Sequence, residues 1–391
     1  MKLLVFDSHP VQYRVPIWKE IDSLKPESLH VVYASDCSVK GYADKEFSES
    51  FAWDIPMLSG YRYTILNTEN GEPLSGWNSL GGKGVRGAIK KFKPDALMLT
   101  GLNYRFDWVV FFYAQILRIP IWLRCETQDY AFKRSKLVSL YRYLVYFLFY
   151  KGIDRFFFIG ELNKEHYLNH GVKASKLLPA RYATVNQYLG VDEDEKKQIQ
   201  SEMRTAAGID PDKLVIGFSG KFIEKKNPQL LFLMLEYLPA HLLSKIHLYL
   251  LGSGQLESEL KDMASVAFNK YGVKTTFTGF VNQSKIGDHY LAMDVVVLPS
   301  RQSGETWGLV ANEGMQAGCG VIVSNVVGCQ ADFGKWERFK VFKQGDEKDL
   351  ASCVTQLAVN PKKFDWAASE LQESYSISAI AKTIVSEMSK F

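Results

Sequence analysis

Cysteine is scarce in this 391-residue chain. The five residues, Cys37, Cys125, Cys319, Cys329 and Cys353, are odd in number and scattered, and none forms a CxxC pair. That supports neither a disulfide framework nor a zinc site and fits a reducing compartment. No apolar run reaches the ~18 residues of a membrane-spanning helix. The start, MKLLVFDSHP, has no signal-peptide pattern, because its apolar stretch ends at Phe6 and Asp7 follows. It reads as a first buried strand, and the expected location is the cytoplasm. Proline (13) and glycine (29) are dispersed, against collagen-like or linker-like readings. No period of about 33–47 residues recurs, so a helical solenoid is not expected.

What is present is a globular composition, 47% hydrophobic and 23% charged, in a chain long enough for two cores. The net charge of +4 is uneven. Residues 1–190 hold 25 basic against 18 acidic residues, and 191–391 hold 22 against 25. The first half is therefore expected to meet something anionic. A nucleic acid or a phospholipid surface could supply the charge, but no nucleic-acid module is visible.

Short apolar runs alternate with helical patterns. Strands are predicted at Leu3–Phe6, Leu29–Tyr33, Ala96–Leu99, Ile121–Arg124 and Phe156–Ile159. A second series is predicted at Val215–Ser219, His247–Leu251, Thr275–Thr278, Val295–Leu298 and Gly320–Val323. Helical stretches such as Asn227–Tyr237, Leu256–Tyr271, Lys285–Ala292 and Leu309–Ala317 separate them. This is the signature of parallel βαβ units, written twice: two doubly wound α/β domains with a cleft between them. The expected divisions are 1–190, 191–364 and a helical tail, 365–391, that could return to the first domain.

Three segments carry chemistry. In VVVLPSRQSGETWGLVANEG a strand runs into a polar loop and then a helix. Glu305 lies at the helix mouth and Glu313 eight positions on. Between them the amides of Trp307, Gly308, Leu309 and Val310 have no intrahelical acceptor, so an anion site is expected. In VIGFSGKFIEKKNP, Gly220 lets the backbone approach a ligand, and Lys221 and Lys226 can reach its phosphates. In HLYLLGSGQL, a strand delivers Gly252, Ser253 and Gly254, but Glu257 stands where a dinucleotide fingerprint needs a third glycine. Singly, the last two read better as solvated charge and a plain turn.

Together, G-[KR]-x4-K, G-x-G after a strand, T-G-[FY]-V at Thr278–Val281, and E-x7-E resemble the donor domain of the family 4 glycosyltransferases. These are retaining "group 1" enzymes of GT-B fold. The resemblance is dense over Leu214–Asp332 and looser in the first half, at SHPVQY (Ser8–Tyr13) and RCETQDY (Arg124–Tyr130). It implies sugar transfer from a UDP- or GDP-linked donor to a hydroxyl of a glycan or lipid-linked acceptor, without a required metal or other cofactor. Surface polysaccharide or glycoconjugate synthesis is the implied pathway. Lys221, Lys226 and Glu305 would be catalytic. Gly220, Gly252, Ser253, Trp307, Gly308, Leu309, Val310 and Glu313 would bind the donor. His9, Gln12, Glu126 and Asp129 would lie on the acceptor side. Two departures stand in the first half. Ser8-His9-Pro10 replaces the family's Gly-Gly loop, and Cys125-Glu126 occupies the place of a histidine.

Other readings compete. Asp192-Glu193-Asp194 is a DxD, but it opens a helical pattern, so helix-start charge is expected rather than metal binding. His166 and His170 are spaced i, i+4 without an evident third ligand and read as a helix end. Residues 132–158 carry six basic residues, one acid and ten aromatics. They read either as a face peripheral to an anionic membrane or as a core helix. An NAD-dependent dehydrogenase and a non-catalytic nucleotide-binding protein are the alternative functions.

Overall fold

The computed structural model describes residues 1–39, 42–44, 49–51, 56–66 and 76–390. Its strands are β1 (Leu3–Asp7), β2 (Leu29–Tyr33), β3 (Tyr42–Asp44), β4 (Glu49–Phe51), β5 (Tyr63–Ile65), β6 (Ala96–Leu99), β7 (Ile121–Leu123), β8 (Arg155–Phe158), β9 (Leu177–Pro179), β10 (Leu214–Ser219), β11 (Ile246–Leu251), β12 (Lys274–Phe277), β13 (Val295–Leu298), β14 (Gly320–Ser324) and β15 (Phe339–Phe342). One sheet runs β5-β2-β1-β6-β7-β8-β9 and the other β12-β11-β10-β13-β14-β15. Every pairing in both is parallel, and β3 and β4 pair antiparallel as a separate ribbon.

Continuous apolar runs become central strands because helices cover both faces. β1, β11, β13 and β14 are buried at every position. In the first domain, Trp18, Trp122 and Phe157 pack under one face of the sheet, and Phe6, Phe106 and Phe156 under the other. In the second, Phe218, Phe222, Leu231 and Leu248 share one core. The ten expected strands are present to within a residue or so at each end. The edge strands β5, β9 and β15 were not expected. They are three or four residues long, and mixed polar positions or a terminal proline weaken their pattern.

Strand order reverses between β1 and β6 in one sheet and between β10 and β13 in the other. Crevices at such points, outside the carboxyl ends of the strands, are where doubly wound folds bind ligands. Here the loops after β7 and β13 meet. Gly304 donates its amide to the Ala131 carbonyl at 2.8 Å, and Gln302 donates to the Tyr130 carbonyl at 2.8 Å. The last helix, Ile377–Met388, packs on the helix Val15–Leu24, and Glu387 pairs with Arg155 at 2.5 Å.

Two local expectations change. The helix expected over Asn227–Tyr237 is Leu230–Leu233 followed by a 3-10 turn, Met234–Tyr237. Asn227 sits at φ 53°, outside a right-handed helix, and Pro239 holds Leu238 extended. The core-helix reading of 132–158 fails for the helix Lys136–Lys151. Only Phe149 and Tyr150 are buried in it, while Leu137 (80% exposed), Tyr141 (69%) and Leu148 (64%) face solvent. The DxD does open a helix: Asp192 caps Glu193–Ala206, accepting from the Glu195 amide at 2.9 Å.

Candidate functional site

The loops after β10 and β13 converge on one ion pair. Lys226 donates its ammonium to Glu305 Oε2, and Ser300 Oγ donates to the same oxygen at 3.1 Å. The loops are also tied by the Arg301 amide to the Lys225 carbonyl (2.8 Å) and by Arg301 Nη2 to Asn227 Oδ1 (2.9 Å). Burial would raise the Glu305 carboxyl. The charge and hydrogen bond of Lys226, then Ser300 and Lys225, outweigh it and hold the group below the ordinary glutamate range. Glu305 is thus an anion at neutral pH, two residues before the turn that starts the next helix.

That helix is Leu309–Gln316. Gly308 begins it at φ 98°, where a Cβ would stand 2.7 Å from Val327 and 2.8 Å from Leu298, so glycine is required on both counts. Among the described residues no side chain caps this end. The amides of its first turn have no intrahelical acceptor, and the helix dipole adds partial positive charge there. The Trp307 side chain faces inward: its Nε1 donates to Asn312 Oδ1 at 2.8 Å, and its ring packs beside Tyr182, Phe333 and Tyr375. Only the backbone of Trp307 is left for a ligand.

Glu313, 7% exposed, lies within the helix. Tyr290 donates to its Oε2 at 2.8 Å, Gln283 to its Oε1 at 3.2 Å, and the hydroxyl of Tyr13 reaches it from the first domain. Burial dominates over these bonds and pushes its carboxyl above the ordinary range.

Gly220 and Gly252 sit side by side. They end β10 and β11 at φ 146° and 138°, and a Cβ on Gly252 would lie 2.0 Å from the Gly220 carbonyl oxygen. Backbone packing therefore accounts for Gly252. Ser253 is buried, and its carbonyl accepts the Phe222 amide at 2.8 Å.

In the first domain, His9 and Glu126 line a cavity of about 460 Å³ against Gly304 and Thr306 of the second. Tyr182 donates to Glu126 Oε1 at 2.6 Å, and Thr306 Oγ1 is 3.5 Å from Oε2. His9 is pushed down to about 4 by burial and then by Arg14, so its ring is neutral at physiological pH. Gln12 is placed elsewhere, beside Tyr13 in a second cavity that also meets Gln283. Asp129 does not line the first cavity. Its Oδ1 is 2.8 Å from His166 Nδ1 and its Oδ2 is 3.9 Å from His170 Nδ1.

Asp129 is thus the third member that the histidine pair lacked in the sequence, and the three ligand atoms lie within 4.8 Å of one another. Their atoms are already engaged, however. His166 Nε2 bonds the Tyr150 hydroxyl at 2.9 Å, and His170 Nδ1 donates to the His166 carbonyl at 2.7 Å. The cluster reads as a hydrogen-bonded brace under the loop.

Several residues of the site were missed from sequence. Tyr13, Gln283, Tyr290 and Ser300 hold the two carboxylates across 5 to 300 positions of chain. Arg14 pairs with the buried Asp7 at 3.2 Å. Its only signal was a basic residue soon after the first strand.

Comparison with known proteins bears on this region. Residues 199–365 match the family model described as glycosyl transferases, group 1. An uncharacterized glycosyltransferase of Methanocaldococcus jannaschii is 34% identical over 126 residues, covering 32% of this chain and 30% of that protein. The aligned stretch thus spans less than a third of that relative. HepE of Anabaena, solved in complex with UDP and glucose, superposes with a TM-score of 0.67 at 16% identity over 100% of both chains. Sucrose-phosphate synthase of Thermosynechococcus elongatus gives 0.67 at 15% identity over 100% of this chain and 99% of that one. At such identities the likeness shows the fold, which is GT-B.

The contact at the strand ends gives a direct test. Gly252→Ala should destabilise the protein by about 1–3 kcal/mol, from a disfavoured φ and overlap with the Gly220 carbonyl. Urea denaturation should show an earlier midpoint. An unchanged midpoint would mean that the two strand ends are not in contact.

Proposed function

We propose, from the premise that residues 199–365 form a group 1 glycosyltransferase domain, that the protein is a retaining glycosyltransferase. It uses a UDP- or GDP-linked sugar and an acceptor hydroxyl on a glycan or lipid-linked glycan, in surface polysaccharide or glycoconjugate synthesis. The observation that carries this reading is the partly buried Lys226–Glu305 pair at the mouth of the helix Leu309–Gln316, inside the matched region. Residues 1–190 form the acceptor side, 191–364 the donor side, and 365–391 the returning tail.

In this reading the donor diphosphate lies between the first-turn amides of that helix and the Lys221–Lys226 loop. The bond from sugar C1 to the phosphate oxygen breaks, and its electron pair stays on the diphosphate. The acceptor oxygen bonds to C1 on the same face, and its proton passes to the leaving phosphate oxygen. Negative charge grows on the diphosphate in the transition state, where fixed cations and amides are most effective. Lys221 and Lys226 supply the cations, Glu305 orients the sugar hydroxyls, and Glu313 accepts from the ribose. Gly220, Gly252 and Ser253 shape the floor. His9 and Glu126 face the acceptor, while Gln12 and Asp129 act from the second cavity and the loop brace. With protein cations on the phosphates, no metal is required.

Lys226→Ala should lower kcat by ~10²–10³ at saturating donor, and wild-type turnover should survive EDTA. Unchanged kcat would remove Lys226 from the chemistry. Loss on chelation, restored by Mn²⁺, would overturn metal independence.

The electrostatics of Glu313 predict a pH effect. Its raised carboxyl protonates on acidification before an ordinary glutamate does, and the ribose then loses a charged acceptor. Nucleoside diphosphate affinity should fall with pH, with a midpoint above the ordinary glutamate range. Glu313→Gln should bind about 10-fold or more weakly and lack that transition. The same acid limb in the variant would place the titrating group elsewhere.

The first domain presents the helix Lys136–Lys151 outward. Leu137, Tyr141, Leu144 and Leu148 form an exposed stripe, and Lys133 and Lys136 stand at its start. The helix contains no acidic residue. No helix among the described residues is long and apolar enough to cross a membrane. We assign this face to the surface of an anionic bilayer, with basic residues at headgroups contributing roughly 1 kcal/mol each. Binding to vesicles containing phosphatidylglycerol should be salt-sensitive and should fall in a Lys133→Glu, Lys136→Glu variant. Equal binding to neutral vesicles, or a stable dimer that buries the stripe, would contradict the assignment.

A further inference from the structure

The cavity between the domains carries both an acid and several cations on its walls. Its lining includes Glu126 and Thr306, the latter next to Glu305 in sequence. It also includes Arg14, which is paired with Asp7, and Arg134 and Arg142. The guanidinium of Arg134 lies 5.0 Å from the ring of Phe132 and donates to the Asp129 carbonyl at 3.1 Å. That of Arg142 lies 4.8 Å from the ring of Tyr146. An aromatic face therefore flanks each cation, and a backbone carbonyl also holds Arg134. Among the described residues neither forms an ion pair with a carboxylate. The nearby acid, Asp129, is hydrogen-bonded to His166. Burial and then the charge of Arg142 depress Arg134, as expected of two like charges turned into one space.

Two fixed guanidiniums without a carboxylate, in a polar cavity, are suited to an oxyanion that offers several acceptor oxygens. Arginine binds phosphate bidentately, which places the group as well as attracting it. We propose that Arg134 and Arg142 bind a phosphate group carried by the acceptor, so that the acceptor is a phosphorylated sugar or glycan. Its anionic end sits at the two arginines, and its reacting hydroxyl points toward Glu126 and Thr306. This rests on the glycosyltransferase reading above and narrows its acceptor. The phosphate has two possible sources: a lipid-linked diphosphate glycan presented from a bilayer, or a soluble sugar phosphate. The exposed apolar stripe on the same helix favours the first.

The test titrates three probes onto the full chain with UDP or GDP saturating the donor site: inorganic pyrophosphate, a hexose 1-phosphate and a short-chain prenyl diphosphate. Binding of at least one probe is expected, weakened roughly 10–100-fold in Arg134→Ala, Arg142→Ala. Arg134→Lys, Arg142→Lys should fall between, because charge remains and the bidentate geometry is lost. A clear preference for the prenyl diphosphate would identify a lipid-linked acceptor, and a preference for the hexose phosphate a soluble one. Nucleotide affinity, measured in the same samples, should not change. No binding of any phosphate probe, or equal binding to the alanine variant and the wild type, overturns the proposal. A wild type that binds no nucleotide would instead count against the donor-site reading, so the two failures are told apart.

Discussion

One ion pair organises the site. Lys226 and Glu305 come from loops after different strands, and each would be costly to bury alone, by several kcal/mol per ion. Together, with Ser300 and the charge of Lys225, they hold an ionised carboxylate at the mouth of a helix whose first amides carry no cap. The rest of the region serves that placement. Arg301 locks the lysine loop through Asn227 and the Lys225 carbonyl. Gly308 allows a turn that no side chain could make there. The two carboxylates of the pattern then have opposite electrostatics: Glu305 is held below the ordinary range and Glu313 above it, because only the first faces a cation.

Much of this was legible in the sequence, for a physical reason. Glu305, the helix start and Glu313 lie within one strand–loop–helix unit, so local spacing reports their geometry. The lysine loop and the converging glycines are also local, each at the end of one strand. Tyr13 could not be read this way. Its approach to Glu313 joins the two domains, and nothing in the pattern of residues 8–13 announces it. Asp129, likewise, gives no local sign of the contact with His166 that folding brings about.

The helix Lys136–Lys151 shows a different limit. An apolar stripe at helical spacing has the same period whether it faces a core, a partner or a lipid. Its sequence therefore allowed a core helix, and only the packing decided. The opposite face, with Phe149 and Tyr150, enters the core, and Arg142 and Tyr146 reach the cavity. One helix thus links an outward apolar surface to the space beside Glu126. That arrangement suits an acceptor arriving from a surface, and it gives the basic excess of the first domain a location.

The central claim is that the crevice after β10 and β13 binds a nucleoside diphosphate through its phosphates. Calorimetric titration of UDP and GDP, set beside the matching monophosphates, tests it most directly. One diphosphate should bind, its monophosphate should bind more weakly, and the difference between them should shrink in Lys226→Ala. No binding of either diphosphate, or equal affinity for diphosphate and monophosphate in the wild type, would contradict the account.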